Sequence, residues 1–182
     1  MNRLVIAFVC ALAFSSAASA QTSAWSSPTG RYTFNYEADG WTPIANFPSD
    51  DGDVLGIEHQ GFQAADHGAL RMCAVQEKPL PNNNGLTQDS VNAALSARSD
   101  GDLSSDSNTS LHDIARSQNG GVLVLSFWVE LNGLRQYWRM FYLAAPDAVT
   151  QVNIACGGAT PLNDAEVGNI AHVLNSLVIT PR

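Results

Sequence analysis

The run GVLVLSFWVELNGLRQYWRMFYL, residues 121–143, constrains this chain more than any other stretch. Two long segments rich in β-branched and aromatic residues flank Asn132-Gly133. That dipeptide suits a type I′ turn, because both central residues of such a turn need positive φ. A two-residue turn sets Leu131 opposite Leu134, and every other pairing follows. One face then carries Leu123, Leu125, Phe127, Val129 and Leu131 opposite Tyr142, Met140, Trp138, Gln136 and Leu134. The other carries Val122, Val124, Ser126, Trp128 and Glu130 opposite Leu143, Phe141, Arg139, Tyr137 and Arg135. The first face is almost wholly apolar and has to be covered. The second is apolar at its far end and turns polar towards the loop.

Before this hairpin the pattern is mostly strand. Tyr32, Phe34 and Tyr36 alternate with Arg31, Thr33 and Asn35, which marks a half-buried strand. Trp41 opens a segment broken by Pro43 and Pro48, as at a sheet edge. A short strand is expected over 54–59, a loop over 60–68 and a strand over 69–76. In the last of these Leu70, Met72 and Ala74 point one way, and Arg71, Cys73 and Val75 the other. A helix fits 87–98, with Thr87 as N-cap and Asp89 near the positive helix start. Residues 99–110 read as a polar loop. Residues 111–118 read as a strand turning at Asn119-Gly120.

After the hairpin, 149–156 reads as another strand, which makes a meander. The closing helix has Asn163 as N-cap with Glu166 at N3, and Leu162 is placed to pack on Val167. Val167, Ile170, Ala171, Leu174 and Leu177 form its apolar stripe, with His172 on the exposed side. That stripe is expected on the Leu123–Leu131 face. The fold class is therefore α+β: an antiparallel sheet around a long central hairpin, flanked by helices.

The first twenty residues read as an export signal. Arg3 supplies the positive start, residues 4–14 the apolar core, and Ala18-Ser19-Ala20 a small-residue cleavage site that leaves Gln21 as the new terminus. The apolar run is shorter than the roughly 20 residues of a membrane span. The remainder, 21–182, fits one domain delivered to the periplasm or secreted. It holds 8 basic residues against 17 acidic ones, and Lys78 is its single lysine. An acidic surface of this kind repels phosphate, so nucleic acid is a poor partner. Cys10 leaves with the signal. Cys73 and Cys156 remain as an even pair suited to a disulfide in an oxidising compartment. It would close a loop of about 80 residues, for which chain entropy gives roughly 4–5 kcal/mol. A metal site or redox pair are the alternatives, but neither has its spacing here.

The aromatic strand from Tyr32 to Tyr36, ending in Gly40-Trp41, resembles the opening of PsbP-like domains. So does the order of long hairpin, strand and closing helix ending in Ser176-Leu177. Glu37 departs from the family, which tends to proline there. The resemblance implies an α/β/α sandwich around an antiparallel sheet, and a binding or accessory role. It carries over no functional residue.

Catalytic constellations are weak. No nucleophile elbow is present. His112-Asp113 suggests a base with its orienter, yet neighbours on a strand point to opposite faces. His59, Asp66 and His67 could meet across a loop and give a hydrolase-type site, without metal-specific spacing. Asp50, Asp51 and Asp53, and separately Asp100, Asp102 and Asp106, offer oxygen ligands but not a calcium-loop pattern. No catalytic, cofactor or metal residue is assigned. The polar half of the hairpin's second face is the candidate for recognition. Trp128, Arg135, Tyr137 and Arg139 gather aromatic and guanidinium groups there, with Glu130 opposite Arg135. Ordinary cross-strand pairing is the competing explanation. A partner protein or small envelope ligand would be held there, and a pocket between sheet and middle helix would instead suit a small-molecule carrier.

Overall fold

The computed structural model describes residues 23–36, 41–44, 59–64, 71–80, 82–107 and 109–180. The expected export signal with Ala18, Ala20 and Gln21, the acidic group Asp50, Asp51 and Asp53, and Asp66 and His67 lie outside these residues. The strands are β1 (Ser23–Ser26), β2 (Tyr32–Tyr36), β3 (Trp41–Ile44), β4 (His59–Ala64), β5 (Arg71–Leu80), β6 (His112–Asn119), β7 (Val122–Leu131), β8 (Leu134–Ala144), β9 (Val149–Ala159) and β10 (Val178–Ile179). The helices are α1 (Gln88–Ser96), α2 (Asp100–Ser107) and α3 (Asp164–Asn175). Seven strands form one antiparallel sheet in the order β3-β4-β5-β9-β8-β7-β6, and β1-β2-β10 form a second.

The β7–β8 hairpin has the register that a two-residue turn demands. Leu131 faces Leu134, Trp128 faces Tyr137 and Val124 faces Phe141. Asn132 and Gly133 take φ of 52° and 76°. The next turn falls one residue later than the sequence suggests. It is made by Gly120 and Gly121, at φ 56° and 76°, with Asn119 paired to Val122. Two glycines adopt that conformation without steric cost. Asn119 instead spends its amide elsewhere, donating to the Leu177 carbonyl at 2.7 Å and accepting from the Ile179 amide at 3.0 Å.

Three other elements differ from expectation. β4 occupies 59–64, where a loop seemed natural, because its backbone is paired on both sides, with β3 and β5. β5 continues through Pro79. Among the described residues, pairing with β4 ends at the His59–Gln76 rung and Pro79 has β9 alone as neighbour, where a missing N–H is tolerated. Residues 100–107 are helical rather than loop. Ser99 Oγ accepts from the Asp102 amide at 3.1 Å, and Asp102 accepts from the Ser99 amide at 3.1 Å. This reciprocal cap starts α2, whose one buried apolar anchor is Leu103.

Helices lie on both faces of the large sheet, but in the opposite assignment to the one expected. α3 covers the Val122, Val124, Phe141 and Leu143 face, not the Leu123–Leu131 face. The reason lies beyond the hairpin. On that side β9 adds Val152, Ile154 and Cys156, and β5 adds Cys73 and Val75, all buried. The smaller sheet contributes Tyr32, Phe34 and Ile179 to the same cluster. Its breadth suits the Ile170, Val173, Leu174 and Leu177 stripe. The other face is narrower: Leu95 and Leu103 pack on Leu123 and Leu125. Both predicted N-caps form. Thr87 accepts from the Ser90 amide, and Asn163 and Glu166 make a full capping box.

Cys73 and Cys156 face each other across β5 and β9 and are joined, with S–S 2.02 Å. The Tyr32 hydroxyl donates to buried Glu77 at 2.6 Å. The disulfide and this hydrogen bond both lie on the α3 side of the sheet.

Candidate recognition surface

The polar half of the hairpin is shaped by an irregularity in β6. Between His112 and Ala115 the register with β7 shifts, and Asp113 takes φ 52°. A bulge of this kind re-aims side chains. Here it brings both His112 and Asp113 to Trp128. The His112 imidazole stacks on the indole with centroids 4.1 Å apart and planes 19° from parallel. Asp113 Oδ2 accepts from Trp128 Nε1 at 2.7 Å. From the β8 side, the Arg135 guanidinium carbon lies 4.6 Å from the centroid of the Trp128 ring. Trp128 is thus held by a hydrogen bond, a stacked ring and a cation.

Arg135 is itself fixed. Its Nη2 and Nε donate to Glu130 Oε2 at 2.8 and 3.3 Å. The Glu130 carboxylate, and after it the Tyr137 hydroxyl, push the guanidinium pKa above its ordinary value. The exposed Arg135–Glu130 pair adds little stability. Its effect is to set the orientation of the charge over the ring. At the turn, Leu131 and Leu134 are 57% and 44% exposed, a paired apolar tip. The tip is tied down by Thr160, whose amide and hydroxyl donate to the Gly133 carbonyl at 2.8 and 3.1 Å.

Of the four residues singled out in the sequence, the structure brings Trp128, Arg135 and Tyr137 together. Tyr137 is half-buried against the main core. Arg139 belongs elsewhere: its Nη1 donates to the Trp138 carbonyl at 3.1 Å and its Nη2 to Asn175 at 2.9 Å, at the end of α3. Burial lowers its pKa from the ordinary arginine value. His112 and Asp113 are the members sequence reasoning missed, because a regular strand would have parted them. Both side chains serve Trp128 rather than forming a base–orienter pair.

The other candidates are dispersed. Asp100 pairs with Arg116 at 2.8 Å, and Asp102 is taken up by Ser99. Among the described residues no group of three His, Cys, Asp or Glu is placed to hold a metal. His59 lies on β4, and His172 is exposed on α3. Between the sheet and α1 there is a groove of about 280 Å³, lined in part by Leu86, Val91, Ala94, Leu95, Tyr142 and Val149.

No protein-family model matches the chain, and no curated protein matches it. Solved structures do. LpqN, a Mycobacterium tuberculosis protein involved in cell envelope biogenesis, aligns over 88% of this chain and 86% of its own, with TM-score 0.50 and 12% identity. The two share a fold. A Bacteroides thetaiotaomicron protein aligns with TM-score 0.44 and 12% identity, over 89% of this chain and half of its own. At such identity the LpqN likeness shows the fold alone.

Proposed function

We propose that this chain is an exported accessory protein of the cell envelope, PsbP-like in kind, which acts by holding a protein partner rather than by catalysis. The observation that carries the reading is the clamped Trp128 on one face of the hairpin end, whose exposed Leu131–Leu134 tip is tied down on the other. Binding costs less when the contact side chains are already fixed, and aromatic and arginine side chains dominate such contacts. The signal ending at Ala18 and Ala20, with Gln21 as new terminus, supports export, and the Cys73–Cys156 pair fits an oxidising compartment. No described helix is long and apolar enough to cross a membrane. The fold shared with LpqN, an envelope biogenesis protein, supports the same address.

A photoreactive amino acid at Leu131 tests this in the exporting cell. It should trap one partner, and Trp128→Ala should abolish that adduct while leaving the fold intact by circular dichroism. The same probe at His172, on exposed α3, should trap nothing. Adducts that survive Trp128→Ala, or that form equally at His172, would remove the hairpin end as the docking site.

A further inference from the structure

On the α1 side of the seven-stranded sheet, the half nearest the β7–β8 turn carries no helix among the described residues. The anchors of α1 and α2, Leu95 and Leu103, meet Leu123 and Leu125 at the far end of β7. On the uncovered half, side chains of very unequal size stand side by side. Phe127 and Trp138 are stacked, with centroids 5.9 Å apart and planes 11° from parallel. On the next two strands Ala155 is paired with Trp138, and Ala74 with Ala155. Gly157, paired with Gln136, has no room for a side chain, because a Cβ there would collide with the Arg135 carbonyl and the Gln136 Cα. Large beside small leaves a hollow of about 130 Å³, lined chiefly by Met72, Ala74, Leu134, Gln136, Ala155 and Gly157.

Leu134 belongs both to the rim of this hollow and to the exposed tip. A partner held at the hairpin end therefore reaches the hollow without leaving the tip. An apolar cavity of about 150 Å³ holds one benzene. The hollow thus has room for one leucine- or phenylalanine-sized group. The chain has 17 acidic residues and 9 basic ones, yet no charged side chain lines the hollow among the described residues. Charged groups are likewise depleted from the buried centres of protein interfaces. Gln136 is the one polar side chain of the lining among these residues. Its amide offers a donor and an acceptor, the pair that a backbone peptide group answers. We infer that the hollow takes one large aliphatic or aromatic side chain of the docking partner, borne on an uncharged stretch of its chain whose peptide group meets Gln136. This rests on the hairpin end being the docking site and adds the chemistry of what docks there.

Toluene probes the hollow itself. Titrated into the full mature chain, it should give one saturable set of methyl NMR shifts at Met72, Ala74 and Ala155. Ala155→Leu fills the hollow and should weaken toluene about tenfold or more. The melting temperature should hold, because Ala155 is half-buried on an open face. Ala74→Leu, from the neighbouring strand, should act alike. Shifts confined to Val91 and Ala94, in the groove beside α1, would overturn the hollow as a site. So would toluene binding that neither variant weakens, or no saturable binding at all. The photoreactive probe at Leu131 then tests the partner. Its adduct should fall about tenfold or more in Ala155→Leu, since one apolar side chain is denied its burial. Mass spectrometry of the adduct should place the link in an uncharged segment containing Leu, Ile, Met or Phe, and a charged segment would overturn the inference. An adduct lost in Trp128→Ala but undiminished in Ala155→Leu and Ala74→Leu would overturn the inference and leave the hairpin end as the docking site. An adduct that survives Trp128→Ala would remove the docking site, and the inference with it.

Discussion

The two faces of the seven-stranded sheet hold their helices in different ways. On the α3 face the attachment is apolar and broad. Phe141, Val152 and Ile154 are at most 1% exposed, and they meet Ile170, Val173 and Leu174 from above. A disulfide and the Tyr32–Glu77 bond lie in the same layer. On the α1 and α2 face the buried set is Leu95, Leu103, Leu123 and Leu125, and the helix is fastened by Gln88 and Asn92. Burial scales with area and fixes a helix only where the area is large. Hydrogen bonds to backbone fix it at points and leave space between them. The first arrangement builds a core, and the second leaves a groove.

If that contrast is right, truncation should separate the faces. Phe141→Ala should cost about 3–5 kcal/mol and lower the melting temperature of the whole fold, as fully buried aromatics do. Leu103→Ala should cost nearer 2 kcal/mol, at the low end for leucine, because α2 packs on one side only. Native-state hydrogen exchange would show it directly. α1 and α2 should open at lower free energy than α3 and β8. Equal protection on both faces would break the comparison. Within the α3 face, Tyr32→Phe leaves buried Glu77 without its 2.6 Å donor and should cost about 1–3 kcal/mol by thermal melt. On the other face, Asn92→Ala orphans the Leu123 amide and should cost about 1–2 kcal/mol. That loss should appear as faster exchange in α1, with α3 unchanged.

How much of this was legible depends on the distance over which each signal acts. The hairpin register was readable because Asn132-Gly133 and strict alternation are both local. The caps at Thr87 and Asn163 were readable for the same reason. The face that α3 chooses was not, because it is decided by Val152, Ile154, Cys73 and Val75, on strands whose order in the sheet no local pattern states. α2 was hidden because its eight residues contain one apolar side chain, so no 3.6-residue period appears. The patch was half legible. Trp128, Arg135 and Glu130 follow from register, whereas His112 and Asp113 join only through a bulge at a non-glycine residue with positive φ. The pins from Gln88 and Asn92 were invisible, since an amide on a helix looks like surface until its acceptor is known.

The smallest expected effect separates the two helices of the weaker face. Both start on a hydroxyl, Ser99 and Thr87, but in α2 an acid, Asp102, also reaches back to the cap. The Asp102 carboxyl accepts from the Ser99 hydroxyl and amide, and these bonds, with the Arg98 charge nearby, hold its pKa below the ordinary value. An unfolded aspartate titrates near about 3.9. A depressed folded pKa favours the folded state fully above that value, and the benefit is lost as pH falls through the folded pKa. The α1 cap, Thr87 on the Ser90 amide, has no such proton to take up. Exchange across 100–107, corrected for intrinsic rates, should therefore accelerate relative to 88–96 as pH falls below the unfolded value and through the lowered folded pKa. Asp102→Asn should remove that difference by fraying α2 at every pH. If both helices lose protection together in the parent chain, the acid cap is not what starts α2, and its stability comes from Leu103 packing instead.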